Sequence, residues 1–129
     1  MIPAKVSTEF LRHWLSNREH ILDTLLSNLD GMAYCCLLDD AWTMLYISEG
    51  CHVLTGYTPD ELMHYGLVTF EQLTHEEDRA RIREGVEQAI QADQSFDLEY
   101  RIVHRNGELR WVNERGKAIR NPQGDIEAL

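Results

Sequence analysis

The chain has 129 residues, 43% of them hydrophobic and 26% charged, which suits one compact domain plus an accessory element. A formal net charge of −10 and a pI near 4.9 argue against nucleic acid or an anionic membrane as a partner, since both repel an acidic surface. No secretory leader opens the chain, no apolar run approaches the ~20 residues of a bilayer span, and three cysteines, two of them adjacent, make no disulfide framework. The expectation is a cytoplasmic protein, or the cytoplasmic part of a membrane-anchored one.

Residues 7–28 read as an amphipathic helix closed by Asp30-Gly31. Leu11, Leu15, Arg18, Leu22, Leu25 and Leu29 follow alternating steps of four and three, a coiled-coil seam with one polar interruption. Two uses of that face stay open. It forms a homodimer contact through the five leucines, or it lies on its own sheet through Ile21, Leu22, Leu25 and Leu26.

Residues 32–39 and 43–48 are apolar runs on either side of Asp39-Asp40, and they suggest an opening hairpin of buried strands. Residues 49–56 make a short helix stopped by Gly56. Thr58-Pro59-Asp60-Glu61 starts another, with a Thr cap, Pro at the first helical position and Glu three residues after the cap. Residues 69–73 add a single turn. Thr74-His75-Glu76-Glu77 repeats the capping logic and opens a helix to about Ala92, with Ile82, Val86, Ala89 and Ile90 on its apolar face.

Residues 95–121 then read as one long β-hairpin, with charged residues between Val, Ile, Tyr, Phe and Trp, and Asn106-Gly107 at the turn. Two registers fit. A two-residue turn pairs Arg105 with Glu108 and puts Trp111 on the face of Phe96, Leu98, Tyr100 and Ile102. A three-residue loop with a bulge at Gly107 pairs His104 with Glu108, moves Trp111 to the opposite face, and brings Val112 and Glu114 beside Tyr100. Residues 126–129 begin a further strand that is cut short. Strands at both ends with helices between them imply an α+β fold, an antiparallel sheet of about five strands covered by helices on one face.

Catalytic and metal signatures are absent. There is no Gly-rich phosphate loop, nucleophile elbow or Ser-His-Asp pattern, so no enzyme is expected within the chain. The acids Glu76, Glu77 and Asp78 are accounted for by helix capping. Histidines 13, 20, 52, 64, 75 and 104 are scattered, without metal-ligand spacing.

Tyr100-Arg101, Arg105-Asn106-Gly107 and Arg110-Trp111-Val112 resemble the last hairpin of PAS domains, in the subgroup that ends in a PAC segment. Leu54-Thr55-Gly56-Tyr57 with Pro59-Asp60-Glu61-Leu62, His75-Glu76-Glu77-Asp78-Arg79, and Asn121-Pro122-Gln123-Gly124 resemble three further family segments, in the family's order. Glu76 stands where the family usually has Pro, and Ser48 where it often has Asn.

The resemblance implies an N-terminal helix over 1–28 and a PAS domain over 29–129, as a piece of a larger signalling protein. It implies a sensory and dimerisation module that regulates a C-terminal output domain, a histidine kinase or a diguanylate cyclase. The alternative is a ligand-free interaction module. It selects the bulged register, with the N-terminal helix covering Trp111. It also implies a cavity lined by Tyr34, Cys36, Leu38, Cys51, Phe70, Tyr100, Val112 and Glu114. Glu114 would need a partner or a ligand there, because an unpaired buried charge is costly. Flavin relatives carry an adduct-forming Cys that residues 67–71 lack, and haem relatives a His within the longer helix, so a colourless domain without cofactor is the expectation.

Overall fold

The computed structural model describes residues 7–26, 28, 30–63 and 66–129. The N-terminal segment forms two helices rather than one, α1 (Thr8–Ser16) and α2 (Arg18–Leu26), with a turn at Asn17. The hydrogen bonds Asn17 N to His13 O and Ile21 N to Asn17 O run across that turn. Asn favours competing local bonds over helix, which suits it to the break. Here its side-chain Nδ2 lies 3.1 Å from His13 Nε2.

The sheet is built of β1 (Tyr34–Cys36), β2 (Met44–Ile47), β3 (Phe96–Val103), β4 (Leu109–Gly116), β5 (Ile119–Arg120) and β6 (Ile126–Ala128). The pairs β1–β2, β3–β4 and β5–β6 are antiparallel. Cys36 and Leu129 exchange both backbone bonds, at 3.0 and 2.8 Å, which joins β1 to the end of β6. Only Lys117 and Ala118 separate β4 from β5. The result is five strands in the order β2, β1, β6, β5/β4, β3.

The long hairpin has the bulged register. Tyr100 faces Val112, Leu98 faces Glu114 and Arg101 faces Trp111. His104 N donates to Glu108 O, Gly107 N donates to His104 O, and Gly107 has φ +90. A side chain with Cβ is strained at that φ, so glycine sets the loop. Alternate β4 residues therefore turn Val112 and Glu114 toward the helices and leave Trp111 on the outer face. Trp111 is 66% exposed, with the Arg101 guanidinium 5.5 Å from its ring centroid, so the expected cover from the N-terminal helix is not found among the described residues.

Between the strands lie α3 (Cys51–Thr55), α4 (Pro59–Leu62), α5 (Phe70–Leu73) and α6 (Glu76–Gln91). Gly56 closes α3 in the left-handed region, and Thr58 and Glu61 form the capping box expected of α4. The cap of α6 differs from the sequence reading. His75 holds it, its Nδ1 accepting from Glu77 N, while Thr74 bridges to Ile102 of β3. Ile82 and Val86 on α6 bury against Phe96, Tyr100 and Ile102 on the inner face of the hairpin. Gly50, at the start of α3, comes so close to Gly31 that a Cβ built on it would lie 1.7 Å from the Gly31 carbonyl oxygen. This contact fixes residues 30–32 beside α3.

No helix among the described residues is long and apolar enough to cross a membrane. None of their His, Cys, Asp and Glu gather in a group of three or more able to hold a metal ion.

Candidate functional site

Pleating alternates side chains between faces, so Tyr34 and Cys36 of β1, Tyr100 of β3 and Glu114 of β4 all point to the helix side. There they meet Phe70 of α5 and Ile82 and Val86 of α6 around a small, partly open chamber of about 20 Å³, room for about one water. A wider groove of about 310 Å³ lies alongside. Residues 30–32 and Tyr34 form one wall, residues 111–115 the other, and Leu54, Phe70 and Tyr100 the floor. It sits between β1 and β4, in line with β6. Tyr34, Phe70, Tyr100 and Glu114 line both spaces and so form the partition between them.

Glu114 is the one carboxylate among those four. Burial raises its pKa, partly opposed by the neighbouring Tyr34 and Tyr100 hydroxyls. Burial, followed by the charge of Glu114, pushes both tyrosines well above their ordinary value. The same two causes push the Cys36 thiol up to about 12. None of these groups is a nucleophile at neutral pH, since the thiolate is the reactive form of Cys.

Of the eight residues expected at the cavity, Tyr34, Cys36, Phe70, Tyr100 and Glu114 meet around the chamber, and Val112 lines the groove. Leu38 does not join them. The strand ends at Cys36, Leu37 N turns to Thr43 O, and Leu38 is 39% exposed. Cys51 is fully buried elsewhere, its Sγ donating to Tyr57 O at 3.4 Å. Sequence reasoning missed Trp42, Met44, Thr74, Phe96 and Leu129 as chamber lining. Phe96 was readable from its alternation with Tyr100. Trp42 was not: it stands at φ +54 in the β1–β2 turn, with the Arg83 guanidinium 3.9 Å above its ring.

Helix capping alone does not account for Asp78. Its side chain, in the first turn of α6, is 7% exposed and bonded to β3. Oδ2 accepts from Arg101 N at 2.9 Å and Arg101 Nε at 3.0 Å, and Oδ1 from a terminal guanidinium nitrogen of Arg101 at 2.8 Å. Those bonds hold its carboxyl well below the usual Asp range.

Over 72 residues, 56% of this chain, the sequence is 39% identical to a blue-light-activated histidine kinase of Brucella ovis, and the match covers 14% of that protein. An RNA-binding light-oxygen-voltage receptor shares the fold with a TM-score of 0.71 and 16% identity, over 99% of this chain and 34% of the receptor. A light-oxygen-voltage domain studied with a flavin analogue aligns with a TM-score of 0.64 and 16% identity, over 88% of this chain and 82% of that one.

These likenesses overturn the expectation of a domain without cofactor. A missing adduct cysteine bears on covalent photochemistry and does not by itself exclude a bound ring. The chamber is too small for a flavin. The groove reaches the lower end of small-molecule site volumes and has the hydrogen-bonding groups of Tyr34, Tyr100 and Glu114 at its floor and wall, so it fits a planar ring. Bound there, a flavin would supply light absorption. The PAS-fold family profile matches residues 44–129, well over half of the chain, and the chain belongs to that family.

Proposed function

We propose that this PAS domain is the sensory input of a larger cytoplasmic signalling protein. It takes up a small molecule on the helix side of its sheet and regulates a following output domain of the histidine-kinase class. The observation that carries this reading is Glu114, a largely buried carboxylate set beside Tyr34 and Tyr100 between the chamber and the groove. A carboxylate is costly in such a place unless partners hold it, and plain core packing does not call for one. A strand continuing from β6 past Leu129 would run between β1 and β4, through the space of the groove and against its floor. A ligand on the floor would then touch the segment that leads to the output domain. Catalysis belongs to that output domain in this reading, and the three cysteines stay free thiols.

Flavin is a ligand to test directly. Flavin mononucleotide added to the purified chain should lose fluorescence with one-to-one stoichiometry; undiminished fluorescence at tens of micromolar protein removes flavin from the reading.

The proposal includes a homodimer through the N-terminal helices. Leu11, Leu22 and Leu25 are 48%, 51% and 62% exposed, and each leucine fully buried in a contact would contribute about 1.5–3 kcal/mol. The Leu15 side chain and Leu29 lie outside the described residues. The turn at Asn17 divides the seam into two short contacts, which suits an interface that a change in the sheet can shift. In analytical ultracentrifugation at tens of micromolar, the intact chain should sediment as a dimer and the double variant Leu22→Glu/Leu25→Glu as a monomer. A monomeric intact chain removes dimerisation from the reading.

A further inference from the structure

We propose, resting on the sensory reading above, that the Trp42 ring plugs a site for neutral, flat aromatic molecules, which take its place beneath Arg83 when the turn between β1 and β2 swings outward.

Trp42 stands in the left-handed region at φ +54, which bulky residues rarely adopt, and is still buried to 7% exposure. Backbone strain of that kind persists only where the surroundings hold it. Here one side chain of α6 does so. The Arg83 guanidinium lies 3.9 Å from the Trp42 ring centroid, donates to the Asp40 carbonyl at 3.1 Å, and pairs with Glu71 at 2.9 Å. It seals the ring in. The ring in turn separates two spaces. One is the chamber of about 20 Å³, and the other, about 50 Å³ and partly open, lies between β2, α4 and residues 66–69. Trp42 and Met44 line both.

Neither space alone admits an organic molecule, since a cavity that takes up benzene measures about 150 Å³. With the ring withdrawn, the two join through the volume that it fills. The wall on the α4 side is fixed by backbone: Met63 pairs with Met44, and Val68 N donates to Glu61 O at 3.3 Å. The opposite wall is the turn, which Asp39 closes as a unit by accepting from Thr43 N at 2.8 Å. The vacated seat sets the ligand. Arg83, still held by Glu71, offers its guanidinium to another π face, so a neutral aromatic ring regains the contact that Trp42 gives up. An anion would meet Glu71 beside that guanidinium, and a cation would meet Arg83 itself. Met44, Leu62 and Phe70 supply apolar sides.

The test titrates indole into the full chain labelled with 5-fluorotryptophan and follows the Trp42 fluorine resonance, identified by its loss in Trp42→Phe. Indole should saturate, and that resonance should take on the solvent sensitivity of an exposed ring, for which Trp111 is the reference. A ligand that binds only a minor open form loses affinity by the fraction of molecules in that form. Trp42→Gly, which removes the plug and the strain together, should therefore bind indole about ten to a thousand times more tightly than the wild type. Cyclohexanol, neutral and ring-shaped but without a π face, should bind more weakly than indole to both. Indole that saturates with the Trp42 resonance unmoved, or that binds Trp42→Gly alone, overturns the proposal. Equal binding of cyclohexanol overturns the aromatic class and the proposal with it. Should Trp42→Gly fail to fold, the wild-type titration decides. The flavin titration tests the sensory reading separately, so a failure here does not reach it.

Discussion

Asp78→Ala should lower the free energy of unfolding by about 3 kcal/mol at neutral pH, a large fraction of a small domain's stability. The substitution removes the acceptor of three bonds from Arg101 and leaves a backbone N–H and a guanidinium without it at the edge of the sheet. Asp78→Asn should cost less, since an amide oxygen still accepts from the backbone. The pH dependence has a fixed sign. The carboxyl of Asp78 titrates lower in the folded protein than its ordinary value of 3.8, so its contribution is complete above that pH and drains away as pH falls below it. The stability gap between wild type and Asp78→Ala should therefore be constant from neutral pH to about pH 5 and narrow in stronger acid. Urea titrations at several pH values measure it. A loss below about 1 kcal/mol at neutral pH would show that the Asp78–Arg101 bonds contribute no more than a surface ion pair.

Gly50→Ala should destabilise by about 3 kcal/mol, although the local backbone gives the opposite expectation. Gly50 has φ −57 and ψ −17, a conformation in which alanine ordinarily stabilises by about 0.4–1 kcal/mol through the unfolded state. The contact reverses the sign. The added Cβ would meet the Gly31 carbonyl, which is backbone and cannot rotate aside. Residues 30–32 would have to move, and they form one wall of the groove. Gly31→Ala is the matched control, with open space for its Cβ and only the strain of φ +99, about 1–2 kcal/mol. A Gly50→Ala protein with an unchanged or raised denaturation midpoint would mean that the two segments do not approach as described.

These two positions show where the sequence could be read and where it could not. The hairpin was legible because period-two alternation reports faces and Asn-Gly reports a turn. The bulged register then placed Glu114 beside Tyr100. Caps at Thr58 and Gly56 were legible because their partners lie within four residues. The Asp78–Arg101 pair spans 23 positions, and no local pattern distinguishes a buried acid in a helix's first turn from a solvated one. The same limit hid the approach of Gly31 to Gly50 and the left-handed Trp42. The heptad pattern carried a helix through Asn17 because apolar spacing does not register a competing side-chain bond. Leu38 was placed in the cavity by extending an alternation beyond the end of its strand.

The Asp78–Arg101 contact has another consequence, for how the protein behaves when concentrated. β3 lies at one margin of the sheet, and an uncovered margin is a template on which a second chain can add a strand. Arg101 is one of the residues whose backbone faces that margin. Its N–H is taken by Asp78 and its carbonyl accepts from His75 N, while Thr74 bridges the neighbouring Ile102. At the opposite margin Met63 pairs with Met44 of β2. Each rim is thus met at one point by the chain's own helical connections. Strand addition over the Arg101–Ile102 part of β3 first requires the opening turn of α6 to detach, which makes the acid–base pair a local guard against edge pairing as well as a brace for the fold.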